Sequence, residues 1–153
     1  MTPEDLVEIE AIKQVKYRYL RAVDTRDWDL LASTLTEDAT SAYSSGKMSY
    51  EGRDAIIGFL KESMPERDML TSHKVHHPEI ELTGPDTATA RWGLEDVVIM
   101  VSAGLNLRGA AYYEDKMVKL DGQWRIAHTG YRRLYEETVR RREEKVTDSW
   151  WDE

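Results

Sequence analysis

The chain contains no cysteine, which excludes disulfide bonds, cysteine nucleophiles and thiolate-ligated metal centres. It also lacks a basic excess, because 29 acidic residues outnumber 21 basic ones and the net charge is −8. A protein of this charge is not expected to bind nucleic acid or an anionic membrane as its main partner. The sequence has no apolar run suited to a signal peptide or a membrane span, so a cytoplasmic location is expected.

The pattern that is present changes near Pro65 from helical to strand-like. Apolar residues recur three and four positions apart from Leu6 to Val23, and two shorter helical segments follow at about 27–35 and 52–64. Four long β-branched or aromatic segments then alternate with turn sequences, over 69–82, 87–101, 105–120 and 123–135. This order predicts an α+β fold, in which N-terminal helices pack on a curved antiparallel sheet that encloses a pocket.

The chain is long enough for one hydrophobic core with a small-molecule cavity. We expect a single domain over residues 1–137 and a charge-dense tail over residues 138–153. The tail is expected to continue as a helix. Trp150 and Trp151 are expected to dock on this subunit or on a neighbouring one, because tryptophan is unusual in a disordered end.

Three of the four histidines lie in the segment "TSHKVHHPEIEL". Side chains alternate between the two faces of a strand, and Ile80 and Leu82 are expected to face the core. The same parity places His76 inward and both His73 and His77 outward. A metal site is therefore not expected, since the histidines point apart and none has the helical spacing typical of zinc ligands.

Asp96 is the one carboxylate on the otherwise apolar face of "TATARWGLEDVVIM", a face that it shares with Trp92. A buried carboxylate needs a partner, and the preceding hairpin brings its strand beside the strand that carries His76. If Asp96 accepts one imidazole N–H, the other ring nitrogen becomes a general base. A buried structural hydrogen bond between the two residues is the alternative.

Other polar side chains accompany apolar faces. Tyr19 lies on the buried side of the first helix, so its hydroxyl is expected to have a partner, and it acts either as a core tyrosine or as a donor to an oxyanion. Asp24 ends that helix, where a carboxylate is disfavoured unless it is capped or paired. Tyr43 adds a phenol, and Arg133 fits a surface charge, a carboxylate partner or an anion clamp.

The stretches "IKQVKYRYLRAVD", "SAYSSGKM", "HKVHHPEIEL", "TATARWGLED", "GAAYYEDKMVKLDGQW" and "TGYRRLYEE" resemble the SnoaL-like branch of the NTF2-like superfamily. Within it the chain is most similar to the bacterial bile-acid 7α-dehydratases. The resemblance implies a dehydratase without a metal or organic cofactor, whose histidine removes a proton activated by a conjugated 3-oxo group. It places the following residues in the active site: Tyr19, Asp24, Tyr43, His76, Asp96 and Arg133.

The implied substrate is a hydrophobic, steroid-like molecule, either free or as a CoA thioester, and Trp92 is expected to contact it. A homotrimer is expected by resemblance, with a homodimer as the alternative. Two other functions stay open at this point: a ketosteroid-type isomerase or polyketide cyclase that uses the same pair, and a non-catalytic ligand-binding module.

Overall fold

The computed structural model describes residues 1–152, in which three helices pack on a six-stranded sheet. The helices are α1 (Pro3–Thr25), α2 (Trp28–Thr34) and α3 (Arg53–Ser63). The strands are β1 (Leu35–Tyr43), β2 (Met48–Glu51), β3 (Met69–Gly84), β4 (Thr87–Met100), β5 (Leu105–Leu120) and β6 (Gln123–Arg140). Over the described range, no helix is both long and apolar enough to cross a membrane.

The strands follow the order β2-β1-β6-β5-β4-β3 across the sheet. Consecutive strands from β3 to β6 pair antiparallel through hairpins, whereas β1 pairs parallel to β6. The core lies between the inner face of this sheet and the buried sides of the three helices. The predicted α+β architecture is therefore confirmed, with the four long strands where their alternation indicated.

Helix α1 begins as its sequence predicts. The Thr2 hydroxyl accepts a hydrogen bond from the Asp5 N–H, the Asp5 carboxylate accepts one from the Thr2 N–H, and Pro3 occupies the first turn. The apolar stripe buries Ile12 and Tyr19 against the sheet. This burial fixes which side of α1 faces the cavity described below.

Strand β3 contains a bulge that the sequence parity did not include. His76 pairs with Gly93 and Glu79 with Arg91, so His77 and Pro78 together oppose a single residue of β4. His77 has a φ of 36°. The residues of β3 that face inward are therefore odd-numbered before the bulge and even-numbered after it. The prediction that His76 faces inward is wrong.

The tail differs from its prediction as well. Strand β6 continues to Arg140, and no helix follows until the 3₁₀ turn Trp150–Asp152. The guanidinium of Arg26 lies 5.9 Å from the Trp151 ring centroid, whereas Trp150 is 71% exposed. The expected helical extension is therefore wrong, and Trp151 contacts its own subunit.

Candidate active site

A cavity of about 290 Å³ opens between α1, α3 and the inner face of the sheet. This volume is at the lower end for small-molecule sites. Apolar side chains form most of its wall, and four of the six methionines belong to it: Met48, Met64, Met69 and Met100. The cavity suits a compact apolar ring. Three groups of polar side chains lie at or beside this wall.

The first group is His73 with Asp24. The Nδ1 of His73 lies 2.6 Å from Oδ1 of Asp24, and the backbone N–H of His73 donates to Oδ2 of the same carboxylate at 2.9 Å. Their side chains are 16% and 21% exposed. Because an ionised carboxylate only accepts hydrogen bonds, Nδ1 carries the proton in the neutral form of this imidazole, and Nε2 has the lone pair. The imidazole is thereby held in one orientation at the cavity wall, an arrangement that general base catalysis requires.

The carboxylate of Asp24 is itself held in place. It accepts a third hydrogen bond from the Thr71 hydroxyl at 2.9 Å. That hydroxyl in turn accepts from Nη1 of Arg26 at 3.0 Å, and Arg26 also donates from Nε to the carbonyl of Met64 at 3.1 Å. Arg26 therefore joins the end of α1 to β3 and to the end of α3. This network explains how a carboxylate is accommodated in the last turn of a helix, where the dipole disfavours it.

The other two histidines of the segment are directed elsewhere. His76 is 47% exposed on its side chain, and its Nε2 lies 2.9 Å from Glu95 on the outer face. The ring of His77 covers Gly93 on that face and lies edge-on to Tyr112. The structure thus brings His73, not His76, to the cavity.

The second group is Asp96 with Arg133. Asp96 is buried on the inner face, as the parity of β4 indicated, but its partner is not a histidine. Both terminal nitrogens of Arg133 donate to its two oxygens, at 2.5 and 2.9 Å. Arg133 reaches across β5 at Gly109, where a Cβ atom would lie 2.7 Å from its Nη1. His73 lies directly opposite Asp96 in the β3–β4 ladder, so His73 and this ion pair lie on the wall of the same cavity.

The third group consists of phenols. The hydroxyls of Tyr19 and Tyr43 lie 2.7 Å apart, and Tyr113 and Tyr131 extend the same wall. Burial raises the pKa of Tyr19 and Tyr43 above that of a free tyrosine, and neighbouring phenols raise both further, although the Tyr19 hydrogen bond lowers that of Tyr43 in part. Burial likewise raises the pKa of Tyr113. At neutral pH Tyr19, Tyr43 and Tyr113 are therefore uncharged, and a neutral phenol can donate a hydrogen bond.

These raised pKa values predict a steep loss of stability in alkali. Below pH ~10 the phenols of Tyr19, Tyr43 and Tyr113 are neutral in both states, and their full contribution is present. Above it the unfolded chain loses these protons while the folded chain keeps them. The free energy of unfolding should then fall by up to about 4 kcal/mol per pH unit. Phenolate absorbance and circular dichroism, recorded together as the pH is raised, measure this loss of stability.

The expected result is two steps in phenolate absorbance. Exposed tyrosines ionise first, and the buried three ionise only together with loss of the circular dichroism signal. If all eight tyrosines ionise near pH ~10 while the fold persists, the three phenols are not held in the neutral form.

Two features of the interior differ from the sequence analysis. Trp92 is completely buried and does not line the cavity. Its indole Nε1 donates a hydrogen bond to Asp115 at 2.9 Å. The expectation that it contacts substrate is therefore not supported by its position. Lys16, which the sequence analysis did not single out, is also completely buried and lies 2.8 Å from Asp115. Its position on the Tyr19 side of α1 was the only signal in the sequence.

The model of the SnoaL-like domain family matches residues 4–130. Among solved structures, a provisionally named scytalone dehydratase from Novosphingobium aromaticivorans is 24% identical, with 93% of this chain and 94% of that chain covered and a TM-score of 0.81. A hexachlorocyclohexane dehydrochlorinase of type 2 is 19% identical, with 94% and 96% covered and a TM-score of 0.81. A protein of unknown function from Mycobacterium tuberculosis is 28% identical, with 87% and 76% covered and a TM-score of 0.74. The family match covers most of the described chain and agrees with the fold, so the chain belongs to the SnoaL-like family.

Proposed function

We propose that the chain is a cofactor-independent lyase that removes water from an apolar hydroxylated ring by general base catalysis. The observation that carries the proposal is that His73, on the wall of an apolar cavity, is hydrogen-bonded through Nδ1 to the carboxylate of Asp24. An imidazole that is oriented by a carboxylate and has a free second nitrogen is suited to proton abstraction at neutral pH.

The proposed reaction begins when Nε2 of His73 removes a proton from a carbon that is activated by a conjugated carbonyl group. The C–H electrons move into the conjugated system, and negative charge develops on the carbonyl oxygen. Asp24 stabilises the imidazolium that forms. The C–O bond of the neighbouring hydroxyl then breaks as the imidazolium returns the proton to it. One water molecule leaves, a new C=C bond remains, and the imidazole is neutral again.

The developing enolate oxygen needs hydrogen-bond donors. We assign this role to the joined hydroxyls of Tyr19 and Tyr43, which are neutral and lie on the cavity wall. Arg133 is less suited to bind a free anion, since both of its terminal nitrogens are engaged by Asp96 and one also approaches Glu136 at 3.4 Å. We therefore assign Arg133 to shaping the cavity and positioning a neutral substrate.

Two features support the substrate class. The wall is apolar, and its four methionines give a flexible surface that adapts to a rigid ring. A steroid with a hydroxyl near a conjugated 3-oxo group, such as a 7α-hydroxy bile-acid derivative, combines such a ring with the activated C–H bond that the mechanism requires. The nucleotide part of a CoA thioester would have to lie outside a cavity of about 290 Å³.

The similar structures also support an elimination. One is named as a dehydratase and another as a dehydrochlorinase. Both names describe loss of a proton and a leaving group from adjacent carbons. The proposed lyase has the leaving group of a dehydratase, a hydroxyl, where a dehydrochlorinase releases chloride.

The test is incubation with conjugated 3-oxo hydroxysteroids, as free acids and as CoA esters. We expect a product that has lost one molecule of water in mass spectrometry and absorbs at longer wavelength, because the conjugation is extended. An isomer of unchanged mass would instead favour an isomerase or cyclase. Tight binding without any product would favour a binding module.

A homotrimer is part of the proposal. Strand β6 carries three exposed apolar side chains near its end, Leu134, Tyr135 and Val139, and an exposed apolar strand end favours burial against another subunit. Light scattering distinguishes a trimer from a dimer and from a monomer.

A further inference from the structure

The buried ion pair of Lys16 and Asp115 has no part in the mechanism above, yet it lies directly behind the phenols. Both side chains are completely buried, and their charged atoms are 2.8 Å apart. Burying such a pair costs several kcal/mol in desolvation, and apolar residues of similar volume often serve the fold as well. A role beyond stability is therefore a reasonable account of its presence.

The ammonium group is held against one aromatic ring. Lys16 donates to Thr129 at 3.2 Å, and its Nζ lies 3.5 Å from the ring centroid of Tyr113. The ring of Tyr19 is farther away, at 4.8 Å. The indole N–H of Trp92 donates to the same oxygen of Asp115 that contacts Lys16, and this orients the carboxylate. Burial lowers the pKa of Lys16, and the charge and hydrogen bond of Asp115 oppose this. The ammonium group lies on the face of the Tyr113 ring, the geometry of a cation–π interaction in a desolvated site.

The hydroxyl of Tyr113 is available to a ligand. Tyr113 lines the cavity, and no group within residues 1–152 forms a hydrogen bond with its hydroxyl. A cation on the ring face withdraws electron density from the phenol, which makes its O–H a stronger donor. The Tyr19–Tyr43 pair, by contrast, already shares one hydrogen bond between its hydroxyls.

We propose that Tyr113 is a further catalytic donor to the enolate oxygen, and that Lys16 with Asp115 is a positioning pair that strengthens this donor through the ring. The inference rests on the proposed lyase reaction, since it assigns the donor to the oxygen that becomes negative there. It adds a catalytic residue and a buried charge to the site, and it explains why an ion pair lies beneath an apolar cavity.

The test uses 2-naphthol, whose anion resembles an aromatic enolate and whose two charge states differ in fluorescence. In wild type we expect naphtholate to bind more tightly than neutral naphthol. The double variant K16M/D115N removes both charges but leaves an amide oxygen for Trp92. It should bind naphtholate about tenfold more weakly, while the affinity for neutral naphthol is unchanged.

Tyr113→Phe separates an effect through the phenol from a general loosening of the core, because it retains the ring above Lys16. It should reduce the preference for naphtholate to the part that Tyr19 and Tyr43 supply, and K16M/D115N should then add no further loss. K16M/D115L replaces the pair by apolar side chains and is used if the amide version does not fold.

The proposal is overturned if wild type shows no preference for naphtholate, if Tyr113→Phe retains the full wild-type preference, or if charge removal weakens naphtholate binding equally in the Tyr113→Phe background. These readouts are binding measurements and do not require turnover. A protein that shows the expected naphtholate pattern but dehydrates no steroid would refute the lyase proposal alone.

Discussion

Replacing His73 by glutamine is expected to lower kcat by about 10²–10⁴, the usual contribution of a general base. Glutamine fits a similar space and hydrogen-bonds to Asp24, but its amide has no basic nitrogen. The loss should appear in kcat more than in KM, because the proton transfer occurs only in the transition state. Steady-state kinetics on the substrate found with the steroid panel measure the effect.

His76→Gln is the matched control. It makes the same chemical change three residues along the same strand, but at a side chain that contacts Glu95 on the outer face. We expect its kcat to stay within about twofold of wild type, as is usual for surface substitutions. A large loss in His76→Gln together with normal turnover in His73→Gln would reverse our assignment of the base.

The periodicity of the sequence was sufficient wherever an element is regular. In α1 it placed Tyr19 on the buried side, and in β4 it placed Asp96 on the inner face, since each element keeps one phase throughout. It also indicated that Asp24 needs a partner. These residues line or adjoin the cavity as their phase predicts, although their chemical roles are still proposals.

The assignment failed at β3 because the strand changes phase. Before the bulge, inward residues are odd-numbered, as His73 and Val75 show; after it they are even-numbered, as Ile80 shows. Proline within a strand often marks such a bulge, and the apolar positions on either side of Pro78 do differ in parity. The sequence therefore contained an indication of the bulge. Strict alternation from Ile80 back along the strand, without a bulge, places His76 on the inward face.

The partner of Asp96 was not predictable from strand pairing. Arg133 lies two strands away, on β6, and crosses β5 where Gly109 has no side chain. A glycine within a strand indicates close approach of another group, but not which group approaches. The burial of Lys16 is hidden for a similar reason, since its counter-ion is 99 residues away in the sequence and the pair forms only when β5 packs on α1.

Replacing Asp96 by alanine is expected to lower the free energy of unfolding by about 3–5 kcal/mol, because it leaves the guanidinium of Arg133 largely buried without its carboxylate. The Arg133 side chain is 17% exposed. Burial lowers its pKa, but the hydrogen bonds and charge of Asp96 more than offset this and raise the pKa above its usual value, so Arg133 stays protonated in the folded protein. Urea unfolding followed by circular dichroism measures the change.

Arg133→Leu should destabilise the fold by a similar amount, since it leaves the carboxylate of Asp96 buried and unpaired. The double variant D96A/R133L leaves neither charge and should recover most of the loss, so the two effects should be far from additive. Glu136 lies 3.4 Å from Arg133 but its side chain is 45% exposed, so solvent weakens that contact and it does not replace Asp96. If the losses simply add, the two side chains stabilise the fold independently. The pairing with Arg133 would then not explain why Asp96, which lies opposite His73, makes no hydrogen bond to that imidazole. The role of each side chain in substrate binding would have to be tested separately.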